Sequence, residues 1–234
     1  MPLSTHVFEQ QHVRLTSSKD ADDLLRAAKP RKNVVLKIDV LEVFISDATG
    51  IKPIREILTL ARNITALVLK LPFKPICAFP TSLTFEHLIS LNINIPHAVI
   101  ASFIQRHPRL ESLQLGACGN ANTQTCPLTH YSIQLPFLIE LICPPSCVRA
   151  VMPGSIVKTL FTTYDGVNRH KFPMYKLLNL HQIGASATLT TLLLDFDNST
   201  PQLLYRISVA APALRVLKLC ESKFSRKVCY TVHN

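Results

Sequence analysis

The chain has no tryptophan, only six glycines in 234 residues, and no apolar run near the ~18–20 residues that a transmembrane helix requires. Its opening segment, "MPLSTHVFEQQHVRLTSS", carries Glu9 and other polar side chains where a secretory signal has an apolar core. We therefore expect an intracellular protein, cytoplasmic or nuclear, with no membrane association. Because 47% of the residues are hydrophobic, the chain can bury the core of a single domain.

Motifs of the common enzyme classes are also absent. The sequence contains no G-x-G-x-x-G, no phosphate-binding loop of the G-x-x-x-x-G-K-[ST] type, no G-x-S-x-G and no H-E-x-x-H. These absences argue against dinucleotide, nucleoside triphosphate, serine hydrolase and zinc protease chemistry. We predict a protein that is not an enzyme, with no catalytic residues and no cofactor.

Seven cysteines are present, and without export we expect all of them to be reduced thiols. Cys126-x3-His130 followed by Cys143-x3-Cys147 gives a four-ligand metal set by spacing alone. However, Cys143 occupies an apolar position of a strand pattern, and "CPPSC" contains two prolines where zinc knuckles prefer a tighter turn. We interpret these cysteines as buried or loop thiols and predict no metal site.

The charge balance is basic, with 25 Lys and Arg against 15 Asp and Glu and a net charge of +10. A basic balance raises nucleic-acid association as the alternative function. The aromatic side chains that single-strand binders place among their basic residues are missing. We interpret the charge as a solvated helix end and a basic tail. The two basic clusters are Arg26, Lys29, Arg31, Lys32 and Lys37, then Lys218, Lys223, Arg226 and Lys227.

A pattern of the form L-x-x-L-x-L recurs along the chain, and "LESLQL" at 110–115 is its clearest copy. Copies begin at Val35, Ile64, Leu88, Leu110, Leu138, Val157, Leu189 and Leu214. The steps between first positions run from 19 residues (138 to 157) to 32 residues (157 to 189). Most lie near the roughly 20–29-residue period of leucine-rich repeats. A leucine-rich chain can produce L-x-x-L by chance, but the near-regular step and the helix-like runs between copies favour a true repeat.

Alternation within a copy predicts a strand with one buried face. Leu113 and Leu115 point to one side, and Ser112 and Gln114 point to the other. Stacked copies bury a continuous leucine core, and helix-like return segments make the strands parallel. Three such segments are "IREILTLARN", "PHAVIASFIQRH" and "TPQLLYRISVAAP", the last with Thr200 as the expected N-cap. The predicted fold is an α/β leucine-rich-repeat solenoid with a parallel β-sheet on the concave face and helices or irregular segments on the convex face.

The phrases "HPRLESLQL" and "APALRVLKL" resemble the repeat region of fungal F-box-type leucine-rich-repeat proteins, over roughly residues 33–220. In that family an N-terminal F-box binds the Skp adaptor of a cullin ubiquitin ligase, and the repeats hold the protein to be ubiquitinated. The Leu-Pro-x-Glu-Leu/Ile start of an F-box is not found before Val35. The resemblance therefore implies substrate recognition by the repeats, and we do not expect the Skp adaptor to bind.

We divide the chain into an N-terminal segment 1–32 with a short helix or partial repeat, a degenerate repeat domain 33–220 and a basic tail 221–234. The predicted function is a non-catalytic protein-protein interaction scaffold, and a ubiquitination substrate is the partner that the resemblance implies. Binding is expected on strand positions that the core does not need. These are Ser90, Asn92, Asn94, Ser112, Gln114, Glu140, Thr159, Phe161, Thr163, Thr191, Asp195 and Lys218, with Lys70 at the near end.

Overall fold

The computed structural model describes residues 8–28, 36–46, 51–72, 82–116, 118, 125–162, 187–196, 202–221 and 229–233. The strands in these ranges are β1 Phe8–Leu15, β2 Leu36–Phe44, β3 Ala66–Lys70, β4 Ser90–Ile93, β5 Ser112–Leu115, β6 Glu140–Cys143, β7 Thr159–Thr162, β8 Thr191–Phe196, β9 Val216–Glu221 and β10 Cys229–His233. The α-helices are α1 Ser18–Ala28, α2 Ile51–Leu60, α3 His97–Gln105, α4 Pro145–Val151 and α5 Leu203–Ala210, and a 3-10 helix spans Pro127–His130.

The strands form one sheet in which their order in space equals their order along the chain. Strands β1 to β9 are parallel to their neighbours, and β10 pairs antiparallel with β9. Parallel neighbours need a return segment between them. Helices α1 to α5 lie in such segments. The predicted mixed α/β architecture with a parallel sheet is confirmed.

Each repeat copy places its leucines at equivalent positions of adjacent strands. Leu91 lies opposite Leu113, and Leu113 lies opposite Leu141, so one residue type stacks on the next across the sheet. Leu110, Leu113 and Leu115 are at most 1% exposed. Truncating one such leucine to alanine costs about 2–5 kcal/mol, because apolar burial is lost and a cavity remains. The leucine column is therefore the main apolar core of the sheet.

The first copy has a different register from the predicted one. The sequence pattern predicts it at Val35, Ile38 and Val40, but Leu41 lies opposite Leu67 and Val43 lies opposite Leu69. The buried triplet of β2 is therefore Ile38, Leu41 and Val43, and Val40 is only half-buried. The segment "VVLKIDVLEVF" offers several overlapping L-x-x-L registers, and only pairing with β3 selects between them.

The return helices bury the faces that their periodicity predicts. In α2 these residues are Ile54, Ile57 and Leu58, and in α3 they include Ile100, Phe103 and Ile104. The start of α5 differs from the prediction: its N-cap is Gln202, with a positive φ of 68° and no side-chain cap bond, and Thr200 lies outside the described residues.

The sheet includes strands from both flanking segments that the sequence analysis separated from the repeats. Strand β1 lies within 1–32, and Val13 and Leu15 lie opposite Leu41 and Val43 as a further pair of core residues. Strand β10 lies within the segment 221–234. Helix α1 lies within segment 1–32, between β1 and β2.

One prediction about the cysteines is wrong. Cys118, Cys126, Cys143 and Cys147 are free thiols, but Cys220 is disulfide-bonded. Disulfides persist in oxidising compartments, so Cys220 weighs against the expectation that every thiol is kept reduced.

Candidate functional site

The side of the sheet opposite the leucine core carries two rows of outward side chains, which we call the open face. Each row crosses the sheet because parallel pairing places equivalent residues opposite one another. One row is Val40, Ala66, Ser90, Ser112, Glu140, Thr159, Thr191 and Val216. The other is Glu42, Val68, Asn92, Gln114, Ile142, Phe161, Leu193 and Lys218. All of these residues are half-buried.

The β1–β3 end of the open face is charged. Glu42 lies 3.6 Å from His12 and 3.7 Å from Arg14, and the Arg14 guanidinium stacks over the Phe44 ring at 4.9 Å. Farther along, the Lys70 ammonium donates to the side-chain oxygen of Asn92, and partial burial lowers the pKa of Lys70. These pairings hold charges of both signs at this end of the sheet.

The β6–β8 part of the open face is apolar at its centre. Ile142 lies opposite Phe161, and Phe161 lies opposite Leu193, so three apolar side chains adjoin across three successive strands. Glu140, Thr159 and Thr191 form the parallel polar row beside them. Phe161 is one of the binding residues predicted from the sequence, whereas Ile142 and Leu193 are not among them. The sequence does indicate them, because each is an apolar residue between two core positions of a strand, in "LIC" at 141–143 and "LLL" at 192–194.

The predicted binding residues have several roles in the structure. Ser112 donates a hydrogen bond to the Glu140 carboxylate at 2.9 Å, which joins two of them across adjacent strands. Asn94 lies past the end of β4, where its amide bonds both the N–H and the carbonyl of Leu71 at 2.9 Å. Thr163 and the side chain of Asp195 lie outside the described residues.

A second group of chemically active side chains lies inside the fold, at the edge where β4, β5 and β6 end. It consists of His97, Cys118, Cys126 and Cys147, which we call the His-Cys cluster. Their ligand atoms all lie within 4.8 Å of one another. The exposed fraction is 6% for Cys118 and zero for the other three. The four side chains are therefore enclosed by the surrounding fold.

The cluster forms because parallel strands deliver their exit segments to the same edge of the sheet. His97 begins α3 after β4, Cys118 follows β5, and Cys147 lies in α4 after β6. Cys126 precedes the 3-10 helix in the connection from β5 to β6. The sulfur atoms of Cys118 and Cys147 are 3.3 Å apart, and the His97 Nδ1 atom lies 3.2 Å from the Cys126 sulfur and 3.3 Å from the Cys147 sulfur.

The tautomer of His97 follows from its other ring nitrogen. Nε2 lies 3.1 Å from the carbonyl oxygen of Gly116, and a carbonyl can only accept a hydrogen bond. Nε2 must therefore carry the proton in the neutral ring. The lone pair of Nδ1 then points toward the thiols of Cys126 and Cys147.

The three thiols of the cluster have unequal acidity. Hydrogen bonds from the Cys126 and Cys147 thiols lower the pKa of Cys118 well below its ordinary value. The hydrogen bond with Cys118 raises the pKa of Cys126 to about 12, and burial raises the pKa of Cys147.

The ligand set read from spacing differs from the one that the fold assembles. Cys126 and Cys147 belong to both. His130 is exposed at the end of the 3-10 helix, and Cys143 is buried at a core position of β6. The fold supplies His97 and Cys118 in their places.

Comparison of the chain with protein-family models, with curated proteins and with solved structures finds no match. Among the described helices, none combines the length and the apolar composition needed to cross a membrane.

Proposed function

We propose that the chain is a non-catalytic scaffold of leucine-rich-repeat type whose open face binds a protein partner. The observation that carries the proposal is the apolar run of Ile142, Phe161 and Leu193, three adjoining side chains beside the polar row of Glu140, Thr159 and Thr191. Binding hot spots are often aromatic anchors surrounded by contacts that exclude water. Phe161 occupies the middle of the run and is the expected anchor.

The charge of the open face supports a protein partner over a nucleic acid. Glu42 and Glu140 lie among its basic residues, and Glu42 already pairs with Arg14. Binding to a phosphate backbone draws its strength from cations that neutralise phosphates, and nearby carboxylates oppose that attraction. Lys218 is the one cation in the rows that span β6 to β9.

The burial of the His-Cys cluster supports a non-catalytic role. A cysteine and a histidine in contact suggest a thiol nucleophile with its base. Such a pair must reach substrate, and His97, Cys126 and Cys147 have no exposed surface. The cluster therefore does not supply the nucleophile of an enzyme.

The finer proposal concerns the repeat family and the kind of partner. The registered strands, the return helices and the steps between copies, most of which lie near the roughly 20–29-residue period, support a leucine-rich-repeat solenoid. The resemblance to F-box-type repeat proteins makes the partner a candidate ubiquitination substrate. If so, the half-life of the bound protein in cells should change when the chain is depleted, which a pulse-chase measurement would test.

The experiment for the open face compares two aromatic truncations. Phe161→Ala removes the proposed anchor, and Tyr205→Ala removes a 68% exposed aromatic ring of α5 as the matched control. Quantitative affinity purification should identify a protein that wild type and Tyr205→Ala retain and Phe161→Ala loses. With the purified partner, Phe161→Ala should cost about 2 kcal/mol or more, about 30-fold in Kd.

A different outcome would overturn the proposal. Binding that survives both Phe161→Ala and the double variant Ser112→Arg with Gln114→Glu does not use the open face. If such binding falls steeply with salt and is lost when Lys223, Arg226 and Lys227 are neutralised, the chain is a nucleic-acid-associated protein. Thermal melts of each variant would separate lost binding from lost folding.

A further inference from the structure

The His-Cys cluster has the composition of a metal site. One neutral imidazole nitrogen and three sulfur atoms converge in a buried space, and Cys3His is one of the recurrent ligand sets of structural zinc. Soft thiolate ligands with imidazole favour zinc over calcium or magnesium, which take oxygen ligands. The composition of the ligand set therefore favours zinc.

The distances fit a single ion. With Zn–S near 2.3 Å and Zn–N near 2.0–2.1 Å, tetrahedral coordination places two sulfurs about 3.8 Å apart and a nitrogen about 3.5 Å from a sulfur. The Cys118–Cys147 separation is 3.3 Å, and Nδ1 of His97 lies 3.2 Å and 3.3 Å from its two sulfur neighbours. Outward shifts of a few tenths of an ångström create the coordination sphere. Because all four atoms lie within 4.8 Å, a multi-iron cluster does not fit between them.

The orientation of His97 is the one that a metal ligand needs. Ligating histidines donate their second ring N–H to a carbonyl or carboxylate, which fixes the tautomer and presents the free nitrogen to the metal. His97 does so through Nε2 and the Gly116 carbonyl. This outer bond is independent of the sulfur contacts and leaves Nδ1 as the free nitrogen.

We propose that His97, Cys118, Cys126 and Cys147 bind one zinc ion that has a structural role. Four protein ligands fill the tetrahedral sphere and leave no position for water or substrate, as in structural rather than catalytic zinc sites. The ion joins the exits of β4, β5 and β6 and fastens Cys126 of the β5–β6 connection to them. Its binding energy is therefore folding energy for the middle of the sheet.

The first test measures zinc in the full chain after any metal-binding tag is removed. Elemental analysis should find roughly one zinc per wild-type chain and a severalfold lower content in Cys118→Ser. Two matched controls, Cys143→Ala and His130→Gln, change neighbouring potential ligands outside the set and should keep their zinc. Zinc retained by Cys118→Ser, or lost equally in His130→Gln, overturns the assignment.

The second test works on the wild-type chain and does not depend on how variants fold. Replacing zinc with cobalt(II) should give the visible absorption of a tetrahedral thiolate complex. Chelator should lower Tm and expose Cys118, Cys126 and Cys147 to alkylation, read by peptide mass spectrometry. Thiols that are free and equally reactive with and without chelator contradict the proposal. A Cys118–Cys147 disulfide in the freshly purified chain, seen as the loss of two hydrogens, contradicts it in favour of a redox pair.

Discussion

Gly116, which follows β5, lies directly against Asn94, which follows the adjacent strand β4. The Gly116 N–H donates a hydrogen bond to the Ile93 carbonyl at 2.7 Å. A Cβ atom at position 116 would lie 2.9 Å from the Asn94 Cα atom and 3.1 Å from its Cβ atom. The first of these is a backbone atom, so it cannot turn away as a flexible side chain does. Two strand exits approach here more closely than any residue other than glycine permits.

Gly116→Ala should therefore destabilise the fold by about 1–3 kcal/mol, the usual cost of forcing extra atoms into a packed region. Chemical denaturation would measure it. The Gly116 carbonyl also receives the His97 N–H, so displacing it should lower zinc content along with stability. A variant with wild-type stability would show that the two exits are less tightly packed than the structure has them.

Asn92 lies within β4 and Asn94 lies just past its end, but the two should respond differently to truncation. Asn94→Ala leaves the Leu71 N–H and carbonyl without their side-chain partner, which should cost about 1–3 kcal/mol. Asn92→Ala removes a half-exposed acceptor of the Lys70 ammonium and should stay within about 1 kcal/mol. Thermal or urea denaturation of the pair would test this. Equal costs would remove the distinction between a fold-supporting and a surface asparagine.

His107 should make stability depend on pH. It accepts a hydrogen bond from the Phe85 N–H at Nε2 and contacts the Phe103 carbonyl through Nδ1, which defines a neutral ring. Burial lowers its pKa, and the nearby Arg106 charge adds to this. The unfolded chain thus binds the proton more readily than the native one. Stability should be full above about pH 6.5 and fall, as pH decreases toward the native pKa, by up to about 1.4 kcal/mol per pH unit.

Urea denaturation between about pH 7.5 and about pH 5 would measure this dependence, since histidine titrates in that range. His107→Gln keeps an acceptor for the Phe85 N–H but cannot be protonated, so its stability should vary less with pH. His87→Gln alters an exposed histidine and serves as the control. The same pH dependence in all three proteins would assign the effect to other groups.

Much of the fold could be predicted from the sequence, because leucine alternation reports the buried face of each strand. The pattern located β3 to β9 and identified the buried faces of α2 and α3. It missed β1, where only Val13 and Leu15 of the pattern are apolar and Gln10 lies opposite Ile38. A strand at the side of a stack buries fewer residues, so its hydrophobic signal is weaker.

The His-Cys cluster could not be found by local spacing. Metal motifs are normally sought as pairs of ligands a few residues apart, which led to His130 and Cys143. The cluster instead takes three of its four members from three successive strand exits, and His97 lies 50 positions from Cys147. Aligning the repeat copies, and asking which residues follow each strand, is the sequence signal that brings His97, Cys118 and Cys147 together.

The contact between His97 and Cys147 also bears on how the sheet opens. Strands β4 and β6 are not neighbours, because β5 lies between them, yet the residues that follow them touch at 3.3 Å. In a stack where each unit contacts only the next, neighbouring interfaces can separate one at a time. The contact between His97 and Cys147 couples the β4–β5 interface to the β5–β6 interface. The β4–β6 region should therefore exchange its amide hydrogens as a single cooperative unit.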